Sequence, residues 1–422
     1  MISDPATRAG AILEIDLAGI VENWRRLAQE AAPARCAAVV KANAYGLGAV
    51  PVAKVLAAAG CRMFFVATLD EGIALRHALG EAPEIAIFNG PFPGTAAEFA
   101  AHKLIPVLND PGQIQEWAAV APSVLRDASR LRRDAPQEED HLDLDSRAYP
   151  HPEEAAERPS RRTHRRLSAR AILHVDTGMA RLGLSAGEFR AVIGRPAPFA
   201  WRAVMSHLAC SDQPDHPLNE RQRARFAAAA EHLPGVPASL AASSGIFLGS
   251  SYRFDLVRPG AALFGINPLP GHSNPLRQIV RLSGKIVQVR QIDRGESVGY
   301  GAAHIMEAPG RAAIVAVGYA DGWLRSLSHR GCGYLAGTRV PLLGRVSMDL
   351  VTFDVSAVPP ALAHPGAMIE LLGGGYGIDD AAADAGTIGY EILCALGSRY
   401  HRVYREPPDL PARDRSRTNR PE

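Results

Sequence analysis

The chain has 422 residues, room for two or three domains at roughly 100–200 residues each. Apolar residues make up 47% and charged residues 21%, and 46 basic against 44 acidic side chains leave +2, so no overall field steers it to nucleic acid or anionic lipid. No run approaches the ~18 apolar residues of a membrane span, MISDPATRAG has neither the basic segment nor the apolar core of a signal peptide, and Cys36, Cys61, Cys210, Cys332 and Cys394 show no metal-ligand spacing. The expectation is a cytoplasmic protein with reduced thiols and no metal, bound to neither membrane nor nucleic acid.

In chain order, the run Ala11–Ile15 comes first and could pair with either of two domains. Apolar, β-branched runs then recur at Ala37–Val40, Met63–Ala67, Glu84–Phe88, Leu104–Leu108, Ala171–Val175, Ala203–Met205, Ser239–Ala242 and Ala261–Gly265. Helical patterns such as Ala49–Ala59 and Asp70–Leu79 lie between them. Near-continuous apolar strands alternating with helices indicate a parallel sheet covered by helices. Eight such units predict an α/β fold, a (β/α)8 barrel over residues 1–270. The pattern breaks at the proline-rich linker Asn267–Pro275. Beyond it the period becomes two, at Gly284–Gln291, Ala312–Val317, Thr338–Leu343, Val346–Val355 and Ala367–Leu372. A mostly antiparallel β domain is expected over 271–408, with a disordered tail over 409–422.

Residues 126–170 fit neither domain. They carry 11 Arg and 10 Asp or Glu against four Leu, with no Val, Ile or Phe. Such a segment cannot bury enough apolar surface to offset its ordering entropy, so a disordered insertion is expected. Its basic end, RRTHRR at 161–166, reads as a solvated charge run balanced by the acidic residues upstream rather than a nucleic-acid patch.

Only four of the 46 basic residues are lysines: Lys41, Lys54, Lys103 and Lys285. Where a bare positive charge suffices, this chain uses arginine, so each lysine invites a chemical explanation. Lys41 directly follows the first strand, in VVKANAYGLG. In a barrel that position faces the active-site mouth, and burial there favours the neutral amine that a Schiff base requires. Gly46 and Gly48 let the chain bend before the next helix.

VVKANAYGLG resembles the cofactor-lysine motif of bacterial alanine racemases, pyridoxal-phosphate enzymes built from a barrel and a C-terminal β domain. Eight further motifs follow in that family's order: HVDTGMARLG (174–183), MSHLA (205–209), SSG (243–245), VRPGAALFG (257–265), VGYGAAH (298–304), GYADGWLR (318–325), GRVSMD (344–349) and SRYHRVY (398–404). The resemblance covers roughly residues 11–125 and 170–405. It implies interconversion of L- and D-alanine through a pyridoxal-phosphate aldimine on Lys41, supplying D-alanine for peptidoglycan. Arg258 would hydrogen-bond the pyridine nitrogen, and His207 would lie beside the ring. The phosphate would meet Ser243, the amides of Gly260 and Ala261, and the hydroxyls of Tyr45 and Tyr400. Arg181 and Met348 would hold the substrate carboxylate. Tyr300 would be the second base, and both Tyr300 and Met348 would come from the partner in a homodimer. Arg325 matches an outer position on the substrate's approach, and a surface salt bridge is an equal reading. Asp349 reads as structural.

Two alternatives fit less well. Barrel decarboxylases pair the ring nitrogen with a carboxylate, where this chain has Arg258, and pyridoxal-phosphate carriers lack a β domain. The sequence departs from the family at three places. His174 stands where a carboxylated lysine is usual, Ala242 where Asn precedes the serine, and Ser347 where Cys precedes the methionine. If His174 and Arg181 were both charged they would repel, and an anion such as chloride would fit between them.

Overall fold

The computed structural model describes residues 4–121 and 169–406. The expectations for the C-terminal tail, and for the charged segment up to residue 168, lie outside the described residues. At that segment's far end Arg170 already opens a strand, Arg170–His174.

Seven parallel strands pair in sequence order: Arg35–Cys36 continuing into Ala38–Val39, then Met63–Val66, Glu84–Ile87, Ile105–Leu108, Arg170–His174, Ala200–Met205 and Ala238–Ser239. An eighth, Leu256–Val257, pairs in parallel with Arg35–Cys36. Its flanking amides, Asp255 and Arg258, donate to Ala238 O and Ala241 O, both at 3.0 Å. The sheet is therefore closed into a barrel. Alternate strand residues point inward, and Val39, Met63, Phe65, Ala86, Val107, Ile172, Ala203 and Met205 fill the interior as one buried cluster. The residues between them, such as Phe64, Val66, Ile85 and Ile87, face the covering helices. Burial on both faces is why these strands read as apolar runs without a period.

The expected eighth strand, Ala261–Gly265, is a correction. Residues Ala261–Phe264 form a 3-10 turn between Gly260 and Gly265, the latter at φ +82°. All four are buried, and a continuous apolar run carries no period to separate strand from turn.

The second sheet is built around the 13-residue strand Val280–Ile292, antiparallel to Gly310–Val315, Met368–Leu372 and Ala11–Asp16. Strands Val351–Asp354, Thr338–Leu343 and Cys332–Leu335 complete a closed antiparallel ring. Gly284 lets this ring pack tightly, because a Cβ there would come within 2.5 Å of Val315. The N-terminal run therefore belongs to the C-terminal domain, where it also pairs in parallel with the last strand, His401–Arg405. The expected strand Val346–Val355 is only Val351–Asp354. Its first half is a loop in which the Ser347 hydroxyl donates to Leu350 O and accepts from Leu350 N.

Candidate active site

The carboxyl ends of the barrel strands gather the groups singled out in the sequence. Lys41 follows the first strand, its Nζ 5.9 Å from the centre of the Phe88 ring at the end of the third. The next four residues, Ala42, Asn43, Ala44 and Tyr45, all lie in the left-handed region at φ 52–55°. For non-glycine residues this costs roughly 1–2 kcal/mol each, so it persists only where the surroundings impose it.

Five nitrogenous side chains feel one another's charge here. Burial, then Arg181, lowers the pKa of the Lys41 amine, while Cys394 and Glu71 oppose this. Burial, then Arg258 and Arg181, pulls both His174 and His207 down to about 3. Arg258 is only 2% exposed, and burial lowers it to about 9, which leaves it charged at neutral pH. Its Nη1 donates to the Ser239 hydroxyl and its Nη2 to Ser206 O at 2.7 Å and Leu240 O at 3.4 Å; Nε makes no hydrogen bond among the described residues.

Asn109 fixes the tautomer of His174. Its Nδ2 donates to the carbonyls of Phe88 and Val107, which turns Oδ1 toward His174 Nδ1 at 2.8 Å. Nδ1 must then carry the proton, and Nε2 is left as an acceptor. The like-charge premise for a bound anion is therefore overturned: the imidazole is neutral. Arg181 is exposed on a loop tied together by Asp176, whose carboxylate accepts from the amides of Gly178, Met179 and Ala180. Gly183 closes that loop onto His174, whose Cδ2 lies 3.1 Å from where a Cβ would be.

A second corner lies at the two turns that follow the last barrel strands. The Ser243 hydroxyl accepts from the amides of Gly260 and Ala262, both at 3.1 Å. The amide between them, on Ala261, donates to no protein acceptor among the described residues. The Tyr45 hydroxyl lies over Gly260, where a Cβ would come within 2.3 Å.

Sequence reasoning missed two residues here. The ring centre of Tyr390 is 6.0 Å from that of Tyr45. Ser244, first in its 3-10 turn, has a hydroxyl with no bond among the described residues. Tyr400, expected in this corner, is instead buried in the core with its hydroxyl unpartnered, and the charges it feels are Asp321, Arg399 and Arg402. The adjacent serines give a sequence signal for Ser244; the Tyr45–Tyr390 pairing is tertiary and gives none.

Tyr300 and Met348 are not brought to Lys41 by any hydrogen bond, ion pair or ring contact among the described residues. Both stand on the β domain, 72% and 54% exposed. Tyr300 lies between two glycines at φ +75° and +71°. Met348 O accepts from Ala320 N, while its own amide finds no acceptor among the described residues. The loop is braced by Asp349, which pairs with Arg399 at 2.8 Å, and Arg399 grips the buried Asp321 through Nε and Nη2. Arg325 is exposed and makes no ion pair among the described residues. No group of three or more His, Cys, Asp or Glu able to hold a metal ion occurs among the described residues.

The arrangement can hold two anions: a phosphate against free amides and hydroxyls, and a carboxylate near Arg181. Its donors suit pyridoxal phosphate, with Arg258 Nε and the Ala261 amide unengaged by protein.

Comparison with known proteins bears on the same chemistry. The family profile described as the N-terminal domain of alanine racemase matches residues 15–133 and 149–268, and the one for its C-terminal domain matches 279–404. The break at 134–148 falls inside the charged segment. An alanine racemase of Rhodospirillum rubrum is 49% identical over 401 residues, 94% of this chain and 96% of that one. A catabolic alanine racemase of Mesorhizobium japonicum is 46% identical over 399 residues, 94% of this chain and 93% of that one. The crystal structure of alanine racemase from Bartonella henselae with covalently bound pyridoxal phosphate matches with a TM-score of 0.80 at 36% identity. That match covers 94% of this chain and 99% of the other.

Proposed function

The chain belongs to the alanine racemase family, and on that premise we propose that it interconverts L- and D-alanine with pyridoxal phosphate held on Lys41. The observation that carries this reading is the convergence of Arg181, Arg258, His174 and His207 on a lysine whose amine is pushed toward neutrality. When bound there, pyridoxal phosphate supplies a sink for the electron pair left on the α-carbon as its proton departs.

The surrounding side chains govern the fate of that electron pair. Arg258 keeps its proton at neutral pH, so it donates to the pyridine nitrogen without protonating it. A weaker sink results, which favours quick return of a proton to the α-carbon over side reactions. Arg181 offers the carboxylate a two-pronged guanidinium, and the neutral His174 leaves Nε2 free to accept from it, so no carbamate is required. The Met348 amide adds a donor to the same carboxylate. In the phosphate corner, Tyr45, Ser243, Ser244, Tyr390 and the Gly260–Ala261 backbone surround the phosphate. Tyr390 replaces Tyr400 in that set because its ring packs on Tyr45.

Racemisation takes a proton from one face of the α-carbon and returns one to the other. Lys41 is placed on one face and serves D-alanine; Tyr300, from the partner of a homodimer, serves L-alanine. The product feeds peptidoglycan, although the Mesorhizobium relative carries a catabolic name. Five free thiols suit a reducing cytoplasm.

Purified protein given each L-amino acid in turn should produce the D-enantiomer of alanine above all others. Tyr300→Ala should keep the visible absorbance of bound cofactor and lose about 10²–10⁴-fold in racemisation, the worth of a general base. It should exchange the α-deuteron of D-alanine faster than that of L-alanine. Equal exchange with normal racemisation would reject the two-base assignment.

A further inference from the structure

The left-handed turn after Lys41 is held from outside the barrel. Internally it closes through Ala44 N to Val40 O (2.9 Å), Gly46 N to Ala42 O (2.8 Å) and Gly48 N to Asn43 O (2.8 Å). On the barrel side, Glu71 accepts from Asn43 N at 3.4 Å and from Ala67 N at 2.9 Å. The remaining contacts come from the β domain of the same chain. Arg402, on the strand His401–Arg405, donates through Nη1 to Gly46 O at 2.5 Å. Its Nη2 donates to Leu396 O and Gly397 O at 3.2 and 3.1 Å. Tyr404, two residues on, donates to Leu47 O at 3.0 Å and lies so near Gly48 that a Cβ would come within 2.3 Å of its hydroxyl. At Gly46 a Cβ would come within 2.5 Å of Leu393 O. A run of four left-handed non-glycine residues does not hold itself; it needs surroundings that over-determine it.

We propose that Arg402 and Tyr404 are positioning residues for Lys41, so that the last strand of the β domain straps the turn that aims the lysine amine. The strap gives that domain a part in its own chain's site, apart from the Tyr300 and Met348 it would lend to a partner. The proposal rests on Lys41 being the cofactor lysine.

Cofactor-free protein carries the test, with two readouts. One is the rate at which added pyridoxal phosphate is captured, followed by its visible absorbance. The other needs no cofactor: the pH dependence of Lys41 acylation by an amine-directed reagent, located by peptide mass spectrometry. Tyr404→Phe removes a single hydroxyl, and Arg402→Gln removes the bridge between the three carbonyls. Both variants should slow capture about ten- to a hundredfold, the scale set by a misplaced reacting group, and shift the acylation profile. Arg405→Gln, which breaks only the pair with Glu14 on the neighbouring strand, should do neither. Native capture and acylation in Tyr404→Phe and Arg402→Gln, or equal slowing in Arg405→Gln, would overturn the strap. If Arg402→Gln does not fold, Tyr404→Phe decides alone. Lys41→Ala separates the premise from the proposal. Should it still acquire the absorbance, Lys41 is not the cofactor lysine. If it loses the absorbance while both strap variants behave as native, only the strap fails.

Discussion

His174 and His207 lie among guanidinium groups and an amine, and both are held neutral. Burial and the neighbouring Arg258 and Arg181 take each from an ordinary 6.5 to about 3. A depressed folded-state pKa means the unfolded chain binds protons that the folded one refuses. The stability each histidine contributes is full above about pH 6.5 and is lost as pH falls from there toward 3. The slope approaches about 1.4 kcal/mol per pH unit for each histidine. In cofactor-free protein, His174→Gln should therefore flatten the loss of stability below pH 6 by up to that slope, read by denaturant unfolding at several pH values. An unchanged slope would mean that His174 takes up a proton in the folded state. The sequence already pointed at this position, because an imidazole stands where an amine is usual. It did not show the charge state, which depends on Asn109 arriving from another strand and on two arginines converging. Lys41 was legible for a different reason: a lysine at a strand end stands out among 42 arginines. Tyr390 was not, since GYEILCA reads as an ordinary helix start and only the packing against Tyr45 sets it apart.

Periodicity placed elements well where it existed. Thr338–Leu343 alternates, and the strand has those bounds. Thr68 and Glu71 form a reciprocal cap at the start of helix Leu69–Leu79, one residue from the expected start. Where no period exists the reading failed, at Ala261–Gly265. It also gave no hint that Ala-Asn-Ala-Tyr, which carries ordinary helix formers, turns left-handed, since tertiary contacts impose that conformation. The charged segment belongs to this scale too. The strands on either side of it are direct neighbours, with Val107 opposite Ile172 and Leu108 opposite Leu173. A helix over 111–121 follows the first of them, so one ordinary βα unit already accounts for the crossover. The alanine racemase profile passes over 134–148 without a match. Deleting roughly residues 130–165 should therefore preserve racemase activity and cofactor content in purified protein. Loss of soluble, active protein would show that the segment takes part in folding or catalysis.

For the whole molecule, the question is where two exposed side chains find their use. Tyr300 and Met348 stand out on the β domain, and Val287, Ile305, Tyr319 and Leu350 are also exposed there. Lone apolar residues on a surface are common, but several on one domain suit a surface that another copy covers. If that copy's barrel receives Tyr300, each site is built from Lys41 of one chain and Tyr300 of the other. Subunit mixing tests this without assuming any interface geometry. Lys41→Ala and Tyr300→Ala proteins should each be nearly inactive alone. When they are dissociated and reassociated together, half of the dimers are mixed in a random two-fold assembly. In a mixed dimer one site pairs the two substituted residues and is dead. The other pairs a native Lys41 with a native Tyr300 and is whole. One site in two, in one dimer in two, restores about a quarter of native activity. Were Tyr300 to serve the site of its own chain, every site in every mixture would lack one of the two groups and no activity would return.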